Sequence, residues 1–308
     1  MTRRFAAIDV GTNSVKLHLG ELLDDGTWRT VLDRSEITRL GEGLRETGRL
    51  GEEPVRRTVD AIAELAGEAR REGAEAVVAV GTAGLRQADS PAELVDAARE
   101  LAGLDVEVLS GEEEARLSYL AATSVLPVGR GRLGVFETGG GSSQFTFGED
   151  GQVDEQFSLD LGAVPVTERF GLDRAVDEAT LRAAKEAIAS ELGALDGRPP
   201  LDLLVGIGGA LTNLAGVQLR LERYDPERVR GFVLEAAEVD RQIELYRTRD
   251  AEERRSIRGL QPKRAEVILA GACIVRTVLA KLDRESLTVS DQGLRHGVLL
   301  ERFSASSA

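Results

Sequence analysis

AIDVGTNS, from Ala7 to Ser14, and VFETGGGSS, from Val135 to Ser143, are two versions of one phrase: an apolar strand, an acid, one further residue, then a glycine-led turn of small residues. Such a turn presents backbone N–H groups to an oxyanion, with the acid beside them to hold a metal ion. A single copy is a weak signal, because an ordinary hairpin tolerates Asp and Gly equally well. The second copy strengthens it. Three consecutive glycines, Gly139, Gly140 and Gly141, are costly in conformational entropy unless backbone must approach something closely. The repeat predicts a duplicated α/β domain with a phosphate site in the cleft between the halves.

The chain has 308 residues, 42% of them hydrophobic, which suits two ordinary cores. No apolar run approaches the ~18 residues that span a bilayer, and the N-terminus enters a strand with no apolar leader, so a cytoplasmic location is expected. A net charge of -14 argues against generic binding to nucleic acid or an acidic membrane, so attraction to an anion must be local. The single cysteine, Cys273 in VILAGACIVRTVL, excludes an internal disulfide and reads as buried helix filler.

Alternating strand and helix patterns predict a mixed sheet in each half. Strands are expected at residues 5–9, 16–22 and 27–33, a long helix at 54–72, a strand ending at Thr82, and a helix whose capping box begins at Ser90. DVEVLS runs to Ser110, and an amphipathic helix over 112–123 bridges into the second half. There strands are expected at 133–137, 143–147 and 156–160, a helix at 180–192, and the strand LDLLVGIG ending at Gly208 and Gly209. Helices dominate from 211 to 282, then SLTVSD leads into a last short helix. Domains of 1–122 and 123–308 follow, with the final helix a candidate to pack back on the first and a hinge rather than a tether between them.

SGEEEARL, from Ser110 to Leu117, is either an acidic first turn complementing a helix dipole or the source of a general base for an attacking water. Crowding among Glu112, Glu113 and Glu114 would raise one pKa. Arg86, just after a strand end in GTAGLRQA, has the planar fork that suits a phosphate, although a surface ion pair is the bland alternative. His18 reads as structural or solvent-facing. It and His296 are the only histidines, and no second ligand lies at metal-binding spacing in sequence, which argues against zinc and Ser-His-Asp chemistry.

These residues resemble the exopolyphosphatase and guanosine pentaphosphate phosphohydrolase family of the actin-like ATPase superfamily. The likeness runs in order through AIDVGTNSVKL, TRLGEGLRETGRL, VGTAGLRQADSPAEL, VEVLSGEEEARLSYL, FETGGGSSQF, LDLGAVPVTERF, VGIGGALTNLA, KRAEVILAGACIV and VSDQGLRHGVL. It implies two actin-like (ribonuclease H-like) domains and magnesium- or manganese-dependent removal of terminal phosphate from inorganic polyphosphate or guanosine pentaphosphate. It implies Glu114 as the base and Asp9 and Glu137 as metal ligands. Gly11, Thr12, Asn13, Ser14, Arg86, Gly139, Gly140, Gly141 and Ser142 would grip phosphate, and Gly208 and Gly209 would close the far wall. A homodimer and a further monovalent cation belong to the same expectation.

Four positions depart from the family pattern: Glu137 where Asp is usual, Gln144 where Glu is usual, His296 where Glu is usual, and Pro165 where Arg is common. Gln144 matters most, because the resemblance implies a catalytic or metal role at that position and an amide cannot take a proton from water. The chain also ends soon after VSDQGLRHG, which favours shorter polymers or a nucleotide end-group. A sensor that binds polyphosphate without efficient hydrolysis is the rival from another class, and a phosphotransfer kinase is a third.

Overall fold

The computed structural model describes residues 3–126, 131–150 and 152–304. The chain divides into two compact units, one formed by residues up to Ala121 together with the segment from Leu294 onward, the other by Ala122–Gly293.

The first unit runs β1 (Arg3–Val10), β2 (Ser14–Leu22), β3 (Trp28–Ile37), α1 (Leu44–Thr47), α2 (Glu52–Arg71), β4 (Ala76–Gly81), α3 (Ala83–Arg86), α4 (Ala92–Ala102), β5 (Val106–Val108) and α5 (Gly111–Val125). Its strands lie in the order β3-β2-β1-β4-β5. β1 is central, pairing antiparallel with β2 and parallel with β4, and its residues from Phe5 onward are all buried, as an apolar run between two covered faces requires. Alternation sorts its side chains. Ala6, Ile8 and Val10 join a core with α2 and α4, while Phe5 and Ala7 join a second cluster with Leu109, Leu117, Leu294, Val298 and Leu299.

The second unit runs β6 (Arg132–Thr138), β7 (Ser143–Glu149), β8 (Gln152–Leu159), α6 (Ala163–Phe170), α7 (Glu178–Glu191), β9 (Leu203–Ile207), α8 (Gly209–Gln218), α9 (Pro226–Val229), β10 (Val233–Glu235), α10 (Ala236–Arg247), α11 (Ala251–Arg254), α12 (Ile268–Lys281) and β11 (Ser286–Ser290). Its sheet has the order β10-β11-β9-β6-β7-β8. Strand for strand, β6, β7, β8 and β9 repeat β1, β2, β3 and β4: a central strand, an antiparallel neighbour and third strand on one side, and a parallel neighbour on the other. The chain is thus α/β with a duplicated mixed sheet.

The last helix, α13 (Leu294–Phe303), belongs to the first unit. Phe303 stacks on Phe5 at 4.2 Å, Trp28 Nε1 donates to Ser304 Oγ at 2.9 Å, and Arg116 pairs with Glu301. Gly297 permits the closest approach: a Cβ there would lie 2.0 Å from the Leu117 carbonyl oxygen. Among the described residues no helix is long and apolar enough to cross a membrane.

Two local expectations need correction, and one helix went unassigned. No side chain caps α4; Pro91 holds the N-cap position, so the box read from Ser90 does not form. The span from 211 to 282, where helices were expected to dominate, also contains the short edge strand β10, whose three residues carry too little pattern to show. The stretch AVPVTERF is helix α6, with Pro165 in its first turn, where the missing N–H breaks no intrahelical bond.

Candidate active site

The first hairpin turn is tied down by its carbonyls. Gly11 N–H donates to the Ser14 carbonyl at 3.1 Å and closes the turn, Gly41 N–H donates to the Thr12 carbonyl at 2.8 Å, and the N–H groups of Thr38 and Arg39 both donate to the Asn13 carbonyl at 3.1 Å. In a planar trans peptide the N–H points opposite the C=O. Tying the Thr12 carbonyl to the segment after β3 therefore aims the Asn13 N–H the other way. Glycine is needed on both sides of Thr12: a Cβ on Gly41 would lie 2.2 Å from Thr12 Cγ2, and one on Gly84 would lie 3.2 Å from Thr12 Oγ1.

Asp9 closes β1, 5% exposed, directly opposite Lys16 on β2. Lys16 Nζ donates to Asp9 Oδ2 at 3.2 Å, whereas Asp9 Oδ1 is buried with no hydrogen-bond partner. Three more buried polar atoms of this unit share that condition, Thr12 Oγ1, Thr38 Oγ1 and Arg86 Nη2. Arg86 ends α3 and uses its other terminal nitrogen fully, donating from Nη1 to the Leu109 carbonyl at 2.9 Å and to Glu114 Oε2 at 3.1 Å. Orphaned buried polar atoms cost roughly 1–3 kcal/mol each. The concentration of those at Asp9, Thr12 and Arg86 on the strand end, the turn and the arginine that follows β4 fits a polar ligand.

The three glutamates that open α5 are distinct in structure. Ser110 Oγ accepts from Glu113 N–H at 3.1 Å, while the Glu113 carboxylate accepts from Ser110 N–H at 2.9 Å and from its hydroxyl at 3.0 Å, a reciprocal capping box. The Ser110 backbone N–H, then its hydroxyl, hold the Glu113 carboxyl below its ordinary range. At Glu113 it is these hydrogen bonds from Ser110 that set the direction. Glu112 is exposed, and Glu114 is 6% exposed beside Arg86. Glu114 is therefore the carboxylate that the helix start turns inward.

The second unit repeats the turn. Gly139 N–H donates to the Ser142 carbonyl at 2.9 Å, and the Gly139 and Gly140 carbonyls accept from Ala163 N–H at 3.1 Å and Val164 N–H at 2.8 Å at the start of α6. The same reasoning aims the N–H groups of Gly140 and Gly141 away from α6. Close approach is again built in, since a Cβ on Gly162 would lie 2.3 Å from the Gly140 oxygen. Glu137 stands opposite Gln144, as Asp9 stands opposite Lys16. Gln144 Nε2 donates to Ser142 Oγ at 2.6 Å and to Ser158 Oγ at 3.3 Å, so this amide positions the turn. Gly208 follows β9 at φ 116°, where a Cβ would meet the Thr138 oxygen at 2.4 Å, and Gly209 opens α8 under the Arg264 guanidinium.

The structure thus gathers Asp9, Gly11, Thr12, Asn13, Ser14, Arg86 and Glu114 on the first unit. It gathers Glu137, Gly139, Gly140, Gly141, Ser142, Gln144, Gly208 and Gly209 on the second. Sequence reasoning missed Lys16 and Arg264. Lys16 was within reach of inference, because a hairpin turning at residues 11–13 pairs residue 9 with residue 16, whereas Arg264 reaches Gly209 only through the tertiary fold.

The sequence profile of the Ppx/GppA phosphatase family matches residues 23–305. The chain is 29% identical to exopolyphosphatase 2 of Mycobacterium tuberculosis, over 96% of this chain and 98% of that one. It is 30% identical to the guanosine-5'-triphosphate,3'-diphosphate pyrophosphatase of Vibrio atlanticus, over 96% of this chain and 59% of that protein. It spans 46% of a bifunctional 3-dehydroquinate synthase/phosphatase of Fusobacterium nucleatum, at 26% identity over 96% of this chain. The crystal structure of the Aquifex aeolicus Ppx/GppA family member superposes over the whole of both chains with a TM-score of 0.84 at 34% identity. The chain belongs to the Ppx/GppA phosphatase family.

Proposed function

We propose that this chain is an exopolyphosphatase, releasing orthophosphate from the end of inorganic polyphosphate with Glu114 as general base. The observation that carries the reading is the buried Glu114 carboxylate 3.1 Å from Arg86, on the unit that also holds the orphaned Asp9 Oδ1, Thr12 Oγ1 and Arg86 Nη2. Glu114 takes the proton of a water whose oxygen bonds to the terminal phosphorus as the bridging P–O bond breaks, and the electron pair leaves on the shortened chain. Arg86 directs its second terminal nitrogen to a phosphate oxygen, and the Asn13 N–H donates to another. Residues Gly139 to Ser142 offer the same backbone chemistry on the second unit.

On the first unit Asp9 presents a buried, unpartnered carboxylate oxygen that suits a hard divalent cation, and on the second unit Glu137 is a candidate ligand at the equivalent place in its own hairpin. Magnesium held by Asp9 would supply positive charge that offsets the phosphate charge a protein of net charge -14 otherwise repels.

The test is magnesium-dependent phosphate release from short polyphosphate, long polyphosphate and guanosine pentaphosphate, beside Glu114→Gln. Activity on polyphosphate that falls by about 10²–10⁴-fold in the variant is the expected result. Preference for guanosine pentaphosphate would move the substrate assignment to the nucleotide. A second reading, a polyphosphate sensor, rests on the Gln144 amide standing opposite Glu137. A silent parent that gains activity in Gln144→Glu would establish it, and an active parent would remove it.

A further inference from the structure

The chain has only two histidines, and the fold brings them together. His18 lies on β2 and His296 on α13, yet their ring centroids are 4.0 Å apart with the planes inclined at 45°. Asp33 of β3 completes the group, its Oδ2 3.1 Å from His18 Nδ1. One ligand atom from each of His18, Asp33 and His296 lies within 4.8 Å of the others. Sequence spacing excluded this arrangement only because the three residues come from separate elements.

We propose that His18, His296 and Asp33 form a site for a divalent transition cation of the zinc class. Two imidazole nitrogens and one carboxylate oxygen make a three-ligand set that leaves a fourth tetrahedral position for water. Ligand atoms of such a site stand ~3.4 Å apart at metal–ligand distances near ~2.1 Å, so the observed spacing closes with small side-chain rotations. The imidazoles select zinc, cobalt or nickel over magnesium, which prefers an all-oxygen shell. Burial supplies the rigid half and the entry path together: His18 and His296 are 3% and 7% exposed, while the Asp33 side chain keeps 44% of its surface. Arg295 Nη1 donates to Asp33 Oδ1 and to the Leu17 carbonyl, both at 2.8 Å, which orients the carboxylate and leaves Oδ2 on the histidine side. The cation would pin α13 to β2 and β3.

Cobalt titration of the full chain tests this by the visible absorption of a low-symmetry cobalt centre. The bands are expected to saturate at one equivalent of cobalt, to be abolished in His18→Gln and His296→Gln, to need at least about tenfold more cobalt in Asp33→Asn, and to be unchanged in Asp9→Asn. Because both histidines are buried, zinc titration of the unaltered protein followed by ring-nitrogen NMR provides a measurement without variants. Both imidazoles, and no others, must shift together at one equivalent. Absence of stoichiometric binding, binding retained in the folded histidine variants, or bands lost in Asp9→Asn instead would overturn the proposal.

Discussion

At the residue scale the candidate site depends on what Arg86 does with its planar fork. Nη1 is committed to the Leu109 carbonyl and to Glu114, which fixes the guanidinium plane, and Nη2 is buried without a partner. A lysine could keep the charge but not donate to the protein and to a phosphate from two fixed directions. Arg86→Lys is therefore expected to lower kcat/KM for phosphate release by about 10–10²-fold, or ~1.4–2.7 kcal/mol. Steady-state kinetics beside a thermal melt separates this from unfolding, and a variant within twofold of the parent would remove Arg86 from phosphate binding. Arg86 and Glu114 were legible because each stands in a local phrase at an element boundary. Lys16 and the His18–His296 pair were not, because the first needs strand register and the second joins β2 to a helix near the chain's other end.

At the element scale, α5 delivers Glu114 and two features hold that helix. Its start is fixed by the reciprocal bonds of Ser110 and Glu113, so Ser110→Ala is expected to destabilise the protein by ~1 kcal/mol in urea unfolding. Glu113 has a folded pKa below its unfolded 4.5, so its contribution is present above that value and is lost as pH falls. The difference between parent and Ser110→Ala should accordingly shrink below about pH 4, and a pH-independent difference would refute the charged cap. The other feature is the contact of α13. Gly297→Ala places a methyl 2.0 Å from the Leu117 carbonyl, where backbone on both sides prevents relief by rotation. A loss of ~1–3 kcal/mol is expected together with reduced turnover, since α5 must move with its Glu114. Strand and helix order were largely readable from periodicity. The Ser110 cap could be read, whereas the Ser90 cap failed because Pro91 itself takes the N-cap place. The close approach at Gly297 left no trace in the pattern around it.

At the scale of the whole molecule, each unit carries its own core and its own natural reporter. The second unit has one contiguous cluster, from Phe136 to Val289, with Cys273 of α12 fully buried inside it. Burial pushes that thiol up from 9.0 to about 12, so the native protein keeps a proton that the unfolded chain releases. The sign follows: the thiol's contribution to stability is intact below pH 9 and is lost as pH rises above it. At pH 8 Cys273 should resist a thiol reagent until its unit opens. The first unit divides its core between the two faces of its sheet, and Trp28 is tied there to Ser304 after α13. A core split into two smaller clusters buries less apolar surface in any one cooperative block than a contiguous one. In urea the Trp28 fluorescence transition is therefore expected at lower concentration than loss of Cys273 protection. Coincident midpoints would mean that the chain unfolds as a single block, and an earlier Cys273 transition would mean that the contiguous core is the weaker one.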